Sequence, residues 1–162
     1  MIHINPHSKS GVLNRVTIQS FFQEDSIMSD CIFCKLANGE IPTAKLYEDD
    51  DFAVILDAGP ATKGHALIIP KAHYANIHEL PDELVSKAFI LAKKTGTRLQ
   101  NAMEADGLNI MQNNGIAAGQ TVFHFHIHLI PRRTDDHAMA GWKPGALTDE
   151  MREDIISRFN NQ

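Results

Sequence analysis

The stretch His124-Phe125-His126-Ile127-His128, within Gly119-Gln-Thr-Val-Phe-His-Phe-His-Ile-His-Leu-Ile-Pro131, is the most informative part of this sequence. Three histidines alternate with bulky apolar residues, and strict alternation is typical of a β-strand whose successive side chains point to opposite faces. The pattern predicts a strand over Thr121–Ile130 with all three imidazoles on one face. The other face would carry Phe123, Phe125, Ile127 and Leu129.

The residues alone leave three interpretations of this histidine row open. Alternate residues of a strand have Cα atoms roughly 6.5–7 Å apart, so two of the imidazoles could bind one metal ion. One imidazole could instead react while the next orients a substrate, because histidine exchanges protons near neutral pH. In the third interpretation all three are ordinary histidines with satisfied hydrogen bonds. Three in register beside a glycine-containing loop favour a chemical role.

Length and composition favour one domain that acts on a small molecule. With 162 residues, 43% of them hydrophobic, the chain can bury one core. The net charge is -5 and basic residues occur only in short groups such as Lys93-Lys94, whereas nucleic-acid-binding surfaces usually carry a basic stripe. No apolar run approaches the roughly 20 residues of a membrane span. We therefore expect neither a nucleic-acid nor a membrane partner.

The N-terminal segment and the two cysteines bear on organisation and compartment. Cys31 and Cys34 are too close in sequence to close a useful disulfide loop, so we expect a cytoplasmic protein without a disulfide framework. Residues 1–27 lack the apolar region of a secretory signal. We expect a weakly ordered extension, or a start upstream of the true one at Met28, with a short helix near Val16–Phe22 as the alternative. Residues 28–162 then form a single domain with a C-terminal tail.

The periodicity of the remaining sequence predicts an antiparallel sheet of about five strands with helices, which is the α+β fold class. Apolar residues at helical spacing predict one long helix between Pro81 and Asp106, and a second amphipathic helix over Asp149–Phe159. The strands predicted besides the histidine strand are Lys45–Glu48, Phe52–Asp57, Ala66–Ile69 and Leu108–Asn113.

The segment Asn113–Thr121 is a loop of small residues that leads into the histidine strand. Glycines allow unusual backbone angles and let backbone N–H groups approach an anion closely, while Asn and Thr add neutral donors. Alone such a loop is most often a turn. Beside three histidines it predicts a phosphate cradle.

Further motifs accompany the histidine row, namely Asp30-Cys-Ile-Phe-Cys-Lys35, Gly39-Glu-Ile-Pro42, Leu56-Asp57, Lys63-Gly-His-Ala-Leu-Ile-Ile-Pro70 and Asn113 through Pro131. In this combination the chain resembles the histidine-triad (HIT) family of nucleotide hydrolases and transferases, and within it the Hint-like bacterial branch with a zinc-type Cys-x-x-Cys pair. The resemblance implies a HIT-like fold and a homodimer whose sheets join into one. It also implies a nucleoside phosphate, AMP-like, bound at each triad.

The resemblance also implies roles for individual residues. His126 would be the nucleophile that attacks the α-phosphorus and forms a nucleotidyl-histidine, and a covalent intermediate divides one difficult displacement into two. His128 and His65 would contact the phosphate and assist proton transfer. Asp57 would accept hydrogen bonds from the ribose hydroxyls. The phosphate and leaving-group positions would be Asn113, Gly119, Gln120 and Thr121, and an apolar slot for the base would be formed by Ile32, Phe33, Leu36, Leu56 and Leu67.

A metal site is implied next to the triad. Two cysteines supply half of a tetrahedral zinc site, and they could equally be two reduced buried thiols. In zinc-containing relatives the other ligands match His73 and His124, with His78 as the rival of His73. The zinc would then be structural, and catalysis would need no cofactor.

The third triad position and the tail bear on the reaction. Relatives that transfer nucleotides to a sugar phosphate carry Gln where this chain has His128, so hydrolysis is favoured. We expect a hydrolase of purine nucleoside phosphoramidates or adenylyl conjugates. The alternatives are a dinucleoside polyphosphate hydrolase and a nucleotide-binding regulatory protein with weak turnover. Trp142 resembles a tail residue that reaches the neighbouring subunit's site in one branch, although it could simply anchor a loop.

Overall fold

The computed structural model describes residues 30–138 and 144–161. The expectations for residues 1–27 and for Trp142 fall outside these ranges. Within them, no helix is long and apolar enough to cross a membrane.

Five antiparallel strands form one sheet in the order β1-β2-β3-β5-β4. The strands are β1 (Lys45–Glu48), β2 (Phe52–Leu56), β3 (Ala66–Pro70), β4 (Gly107–Met111) and β5 (Ile127–Arg132). The described helices are α1 (Ile32–Ala37), α2 (Asp82–Ala102) and α3 (Asp149–Asn160), and a 3₁₀ turn spans Ile116–Ala118. The predicted α+β class, the five-stranded sheet and the two longer helices are confirmed. The helix α1 was not predicted.

The hairpin β1–β2 forms because its acidic turn satisfies its own backbone. The Oδ1 atom of Asp49 accepts hydrogen bonds from the backbone N–H groups of Asp51 (2.9 Å) and Phe52 (2.7 Å). Such Asx turns replace ladder hydrogen bonds where the chain reverses. The apolar run of β3 is buried along its whole length, as expected for the central strand of the sheet.

Side chains of the sheet alternate between two apolar layers. One layer packs against α2 and contains Phe52, Val54, Ala66, Ile68, Phe125, Ile127 and Leu129. The other lies under α1 and contains Ala53, Ile55, Leu67 and Ile69, with Phe33 and Leu36 packed on it. His128 pairs with Leu67 across β3 and β5, so its side chain belongs to the α1 face. The helix α1 therefore covers the face on which the histidines lie.

The histidine strand begins later than the alternation predicts. It starts at Ile127 rather than Thr121, because the preceding backbone bonds elsewhere: the N–H of His124 donates to Val122 (2.9 Å) and that of Phe125 to Tyr74 (2.6 Å). The division into faces holds for Phe125, Ile127 and Leu129, which are buried against α2. It is wrong for Phe123, which is 50% exposed. Strand β4 also begins and ends earlier than predicted.

Gly64, which directly precedes His65, permits a close backbone approach. Its φ is +88°, and a Cβ atom there would lie 2.6 Å from Cγ of Met103. We expect Gly64→Ala to lower the free energy of unfolding by about 1–3 kcal/mol, because strain and overpacking add. Urea denaturation measures this loss. The control Gly107→Ala, whose Cβ would meet nothing within 4 Å, should change it by less than about 0.5 kcal/mol. Equal losses in both variants would contradict the prediction.

Candidate active site and metal site

Four side chains with metal-binding atoms meet between α1 and the end of β3. Cys31 immediately precedes α1 and Cys34 lies in it, while His73 follows β3 and His124 precedes β5. Their ligand atoms all lie within 4.8 Å of one another. The Nδ1 atom of His124 is 3.5 Å from Sγ of Cys31 and 3.4 Å from Sγ of Cys34, which is also 3.4 Å from Nδ1 of His73. This group can hold a metal ion.

The orientation of His124 suits a metal ligand. Its Nε2–H donates to the carbonyl oxygen of Pro70 (2.9 Å), which leaves the lone pair of Nδ1 directed at the thiols. Ligating histidines commonly donate their second N–H in this way. Burial, the largest cause, lowers the pKa of His124 to about 4 and keeps the imidazole neutral.

The thiol of Cys34 is held in its protonated form when no cation is near. Burial, followed by the neighbouring Cys31, raises its pKa to about 12. A metal ion would supply the positive charge that a thiolate needs here. His78, the rival ligand, is exposed and lies outside the group of four, so the geometry selects His73.

One ring nitrogen of His126 is hydrogen-bonded to the backbone, and the other has no hydrogen-bond partner among residues 30–138 and 144–161. Its Nδ1–H donates to the backbone carbonyl of His124 (2.7 Å), so the lone pair lies on Nε2. The ring of Phe33 packs edge-on against it at a centroid distance of 4.9 Å. Burial lowers the pKa of His126, which favours the neutral, nucleophilic imidazole.

His128 and His65 lie beside the nucleophile candidate. The rings of His126 and His128 are 4.8 Å apart between centroids, and Nδ1 of His128 is 3.0 Å from Nε2 of His65. Asp57 follows β2, and its Oδ2 is 3.5 Å from the same Nε2. Burial lowers the pKa of His128 to about 4, with the neighbouring histidines adding to the shift. The structure thus brings His126, His128, His65 and Asp57 into one cluster, whereas the side chain of His124 lies in the group with the two cysteines.

The small-residue loop takes its shape from two glycines. Gly115 and Gly119 have φ of +82° and +85°, angles that other residues rarely adopt, and flank the 3₁₀ turn Ile116–Ala118. A Cβ atom on Gly119 would lie 3.7 Å from Nδ2 of Asn113, so this amide lies against the loop. Thr121 is exposed at the exit of the loop.

Gln120 supports the loop from inside. It is 3% exposed; its Oε1 accepts from the N–H of Gly115 (2.8 Å), and its Nε2 donates to the carbonyls of Ala75 (2.6 Å) and Val122 (3.1 Å). Both polar atoms of the amide are therefore engaged with the protein. In this structure Gln120 supports the loop, and the substrate contact predicted from the motif stays a prediction.

The residues predicted to form a slot for the base divide into two groups. Ile32 and Leu56 are 44% and 39% exposed, and Phe33 and Leu36, which belong to α1, are partly buried against the sheet. Leu67 is 4% exposed and belongs to the core layer. The first four can face a ligand, whereas Leu67 can only support the slot from below. Sequence reasoning also missed the carbonyl of Pro70, since a backbone acceptor has no side-chain signature.

Comparisons with known proteins agree with this geometry. A model of the HIT domain matches residues 38–135. The adenosine 5'-monophosphoramidase HNT1 of Saccharomyces cerevisiae is 47% identical over 120 residues, which cover 74% of this chain and 73% of that protein. A crystal structure of a HIT-family member from Bacillus subtilis superposes with a TM-score of 0.76 at 41% identity, covering 82% and 96% of the two chains. A Zn-bound histidine triad family protein from Mycobacterium smegmatis gives 0.66 at 33% identity, covering 82% and 97%. This chain belongs to the HIT family.

Proposed function

We propose that this protein hydrolyses purine nucleoside phosphoramidates or related adenylyl conjugates at the α-phosphate, through a nucleotide covalently bound to His126. The observation that carries the proposal is the orientation of His126: its Nδ1–H donates to the carbonyl of His124, which leaves the lone pair of the neutral ring on Nε2. A neutral imidazole oriented in this way can attack phosphorus in line. The similarity to a yeast adenosine 5'-monophosphoramidase supports the same substrate class.

The reaction proceeds in two displacements. In the first, Nε2 of His126 forms a bond to the α-phosphorus, the phosphorus–nitrogen bond of the substrate breaks, and the amine leaves with a proton donated by His128. In the second, water attacks the same phosphorus and returns a proton to His128, and the bond to His126 breaks, which releases the nucleoside monophosphate. One water molecule is consumed overall, and both histidines return to their starting states.

The surrounding groups hold the substrate during these steps. The N–H groups of Gly115, Ala118 and Gly119 are hydrogen-bonded within the loop, so the phosphate donors we propose are the side chains of Asn113 and Thr121 at its two ends. Asp57, whose Oδ1 accepts from the N–H of Gly59 (2.8 Å), would also accept hydrogen bonds from the ribose hydroxyls. The exposed faces of Ile32 and Leu56 would contact the base.

Removal of the nucleophile tests this mechanism. We expect His126→Ala to lower kcat/KM for an adenosine phosphoramidate by at least about a thousandfold, because no other group replaces the attacking nitrogen. A single turnover of substrate labelled at the α-phosphate should leave label on the wild-type protein and none on the variant. His78→Ala, at an exposed histidine, serves as the matched control and should turn over normally.

Three outcomes would overturn the proposal. Normal hydrolysis by His126→Ala would exclude the covalent intermediate. Much faster turnover of diadenosine tetraphosphate than of the phosphoramidate would favour a dinucleoside polyphosphate hydrolase. Tight nucleotide binding with negligible turnover of both substrates would favour a regulatory nucleotide-binding protein.

Zinc is the metal that fits the group of Cys31, Cys34, His73 and His124. Two sulfur and two nitrogen ligands are typical of structural zinc. In a tetrahedral site a sulfur ligand and a nitrogen ligand are about 3.6 Å apart. The observed sulfur–nitrogen distances of 3.4–3.5 Å match this spacing. Zinc would tie α1 to the loop after β3 and to the entry of β5. The Zn-bound relative supports this assignment.

The zinc site can be tested by elemental analysis. We expect one zinc per chain of purified protein, lost in Cys34→Ser together with a lower Tm, because the metal links three segments of the fold. His78→Ala should retain its zinc. A Cys34→Ser protein with full zinc content would contradict the assignment.

A homodimer, which the family resemblance implies, stays a prediction, and we propose that β4 is the joining edge. Strand β4 lies at one edge of the sheet and exposes 42% of Ile110. A charge there would face its own copy across the joint, so Ile110→Lys should shift the mass measured by light scattering from dimer to monomer. The matched change Leu46→Lys, on the opposite edge strand β1, should leave the mass of the dimer unchanged. A dimer that persists in Ile110→Lys would contradict this joining edge.

A further inference from the structure

Both ring nitrogens of His65 contact other polar groups of the protein. Its Nδ1 accepts a hydrogen bond from the backbone N–H of Ala61 (3.0 Å). Its Nε2 is 3.0 Å from Nδ1 of His128 and 3.5 Å from Oδ2 of Asp57. The side chain is nearly buried, with 5% of the residue exposed. Both ring nitrogens thus face groups of the protein, whereas the family resemblance implied a direct contact between His65 and the phosphate.

The contact with Ala61 determines where the proton of His65 lies. A backbone amide can only donate, so Nδ1 must carry the lone pair and the proton of the neutral ring must lie on Nε2. Burial lowers the pKa of His65, which favours this neutral form. The Nε2–H then donates to Nδ1 of His128, and the proton of His128 must lie on its own Nε2.

The hydrogen bond from Ala61 also excludes a metal ion bound through Nε2 of His65 in this geometry. Ligand atoms of Asp57, His65 and His128 lie within 4.8 Å of one another, as a metal site requires. Binding through Nε2 of His65 would require the proton to move to Nδ1, where it would face the N–H of Ala61. His124 shows the opposite arrangement, since its second nitrogen donates to a carbonyl. The group around His124 thus suits a metal ion, whereas the group around His65 suits an ordered chain of hydrogen bonds.

The loop that carries Ala61 is itself fixed at both ends. The hydroxyl of Thr62 donates to the carbonyl of Pro131 (2.6 Å), and the N–H of His65 donates to the carbonyl of Thr62 (3.1 Å). The N–H of Gly59 is held by Asp57 (2.8 Å). The amide of Ala61 therefore has a defined direction relative to the imidazole of His65.

We propose that the backbone N–H of Ala61 sets the tautomer of His65 and, through it, that of His128, so that His128 presents Nε2–H to the substrate phosphate. Ala61 and His65 are positioning residues in this scheme, and His128 is the group that touches the substrate. The tautomers follow from the hydrogen bonds alone, whereas their effect on turnover rests on the proposed hydrolase function.

The tautomers can be measured directly in the wild-type protein. Nitrogen NMR of protein labelled at the histidine rings distinguishes protonated from unprotonated nitrogens, and His65→Gln and His128→Gln identify the signals. We expect an unprotonated Nδ1 and a protonated Nε2 in both His65 and His128, and the reverse pattern in His126. A protonated Nδ1 on His65 would overturn the proposal whether or not the protein hydrolyses nucleotides.

A backbone substitution then tests the role of Ala61. Ala61→Pro removes the N–H, and we expect kcat for the phosphoramidate to fall by about ten- to a hundredfold, the usual cost of losing a supporting hydrogen bond, with a smaller change in KM. Ala61→Gly keeps the N–H and should recover most of the rate lost in Ala61→Pro. The proline variant should also show mixed tautomers at His65.

Other results with Ala61→Pro and with the wild-type protein also decide the proposal. An Ala61→Pro protein with the wild-type kcat and tautomers would overturn the proposal. If that variant does not fold, the tautomers of the wild-type protein still decide it. Absence of turnover in the wild-type protein, with the expected tautomers observed, would refute the proposed function and leave the assignment of Ala61 standing.

Discussion

The hydrogen bond from Nδ1 of His126 to the carbonyl oxygen of His124, at 2.7 Å, joins the two sites of this protein. His124 takes part in both: its side chain faces the thiols of Cys31 and Cys34, and its carbonyl orients the candidate nucleophile His126. A metal ion in this group would tie the helix α1 to His124, and thereby to the acceptor that orients His126. The metal group and the candidate nucleophile are therefore held by the same piece of backbone.

The imidazole rings of His124 and His126 are buried, which is unfavourable for polar groups, and hydrogen bonds offset this cost. His124 is fully buried and His126 is 5% exposed, yet backbone carbonyls accept from Nε2 of the first and from Nδ1 of the second. Buried polar groups are tolerated when they are paired in this way. Burial also lowers the pKa of both rings, so they remain neutral, as a metal ligand and a nucleophile must be.

Much of this site could be predicted from the sequence, because the patterns involved belong to side chains. Alternation placed Phe125, Ile127 and Leu129 on one face, and residue spacing together with family resemblance selected the members of the metal group. The start of the strand, the donor at Ala61 and the acceptor at Pro70 could not be predicted. They depend on backbone groups that every residue carries, so their roles follow only from the folded geometry.

The late start of β5 is what makes the histidines differ from one another. In a regular strand the carbonyl of His124 would be available to a neighbouring strand, and the three imidazoles would share one environment. Because the ladder begins only at Ile127, that carbonyl can accept from the side chain of His126 instead. His128 lies within the ladder and has another side chain, His65, as its partner. The period-two pattern of the sequence does not distinguish the three histidines. Their different surroundings arise because the strand ladder begins only after His126.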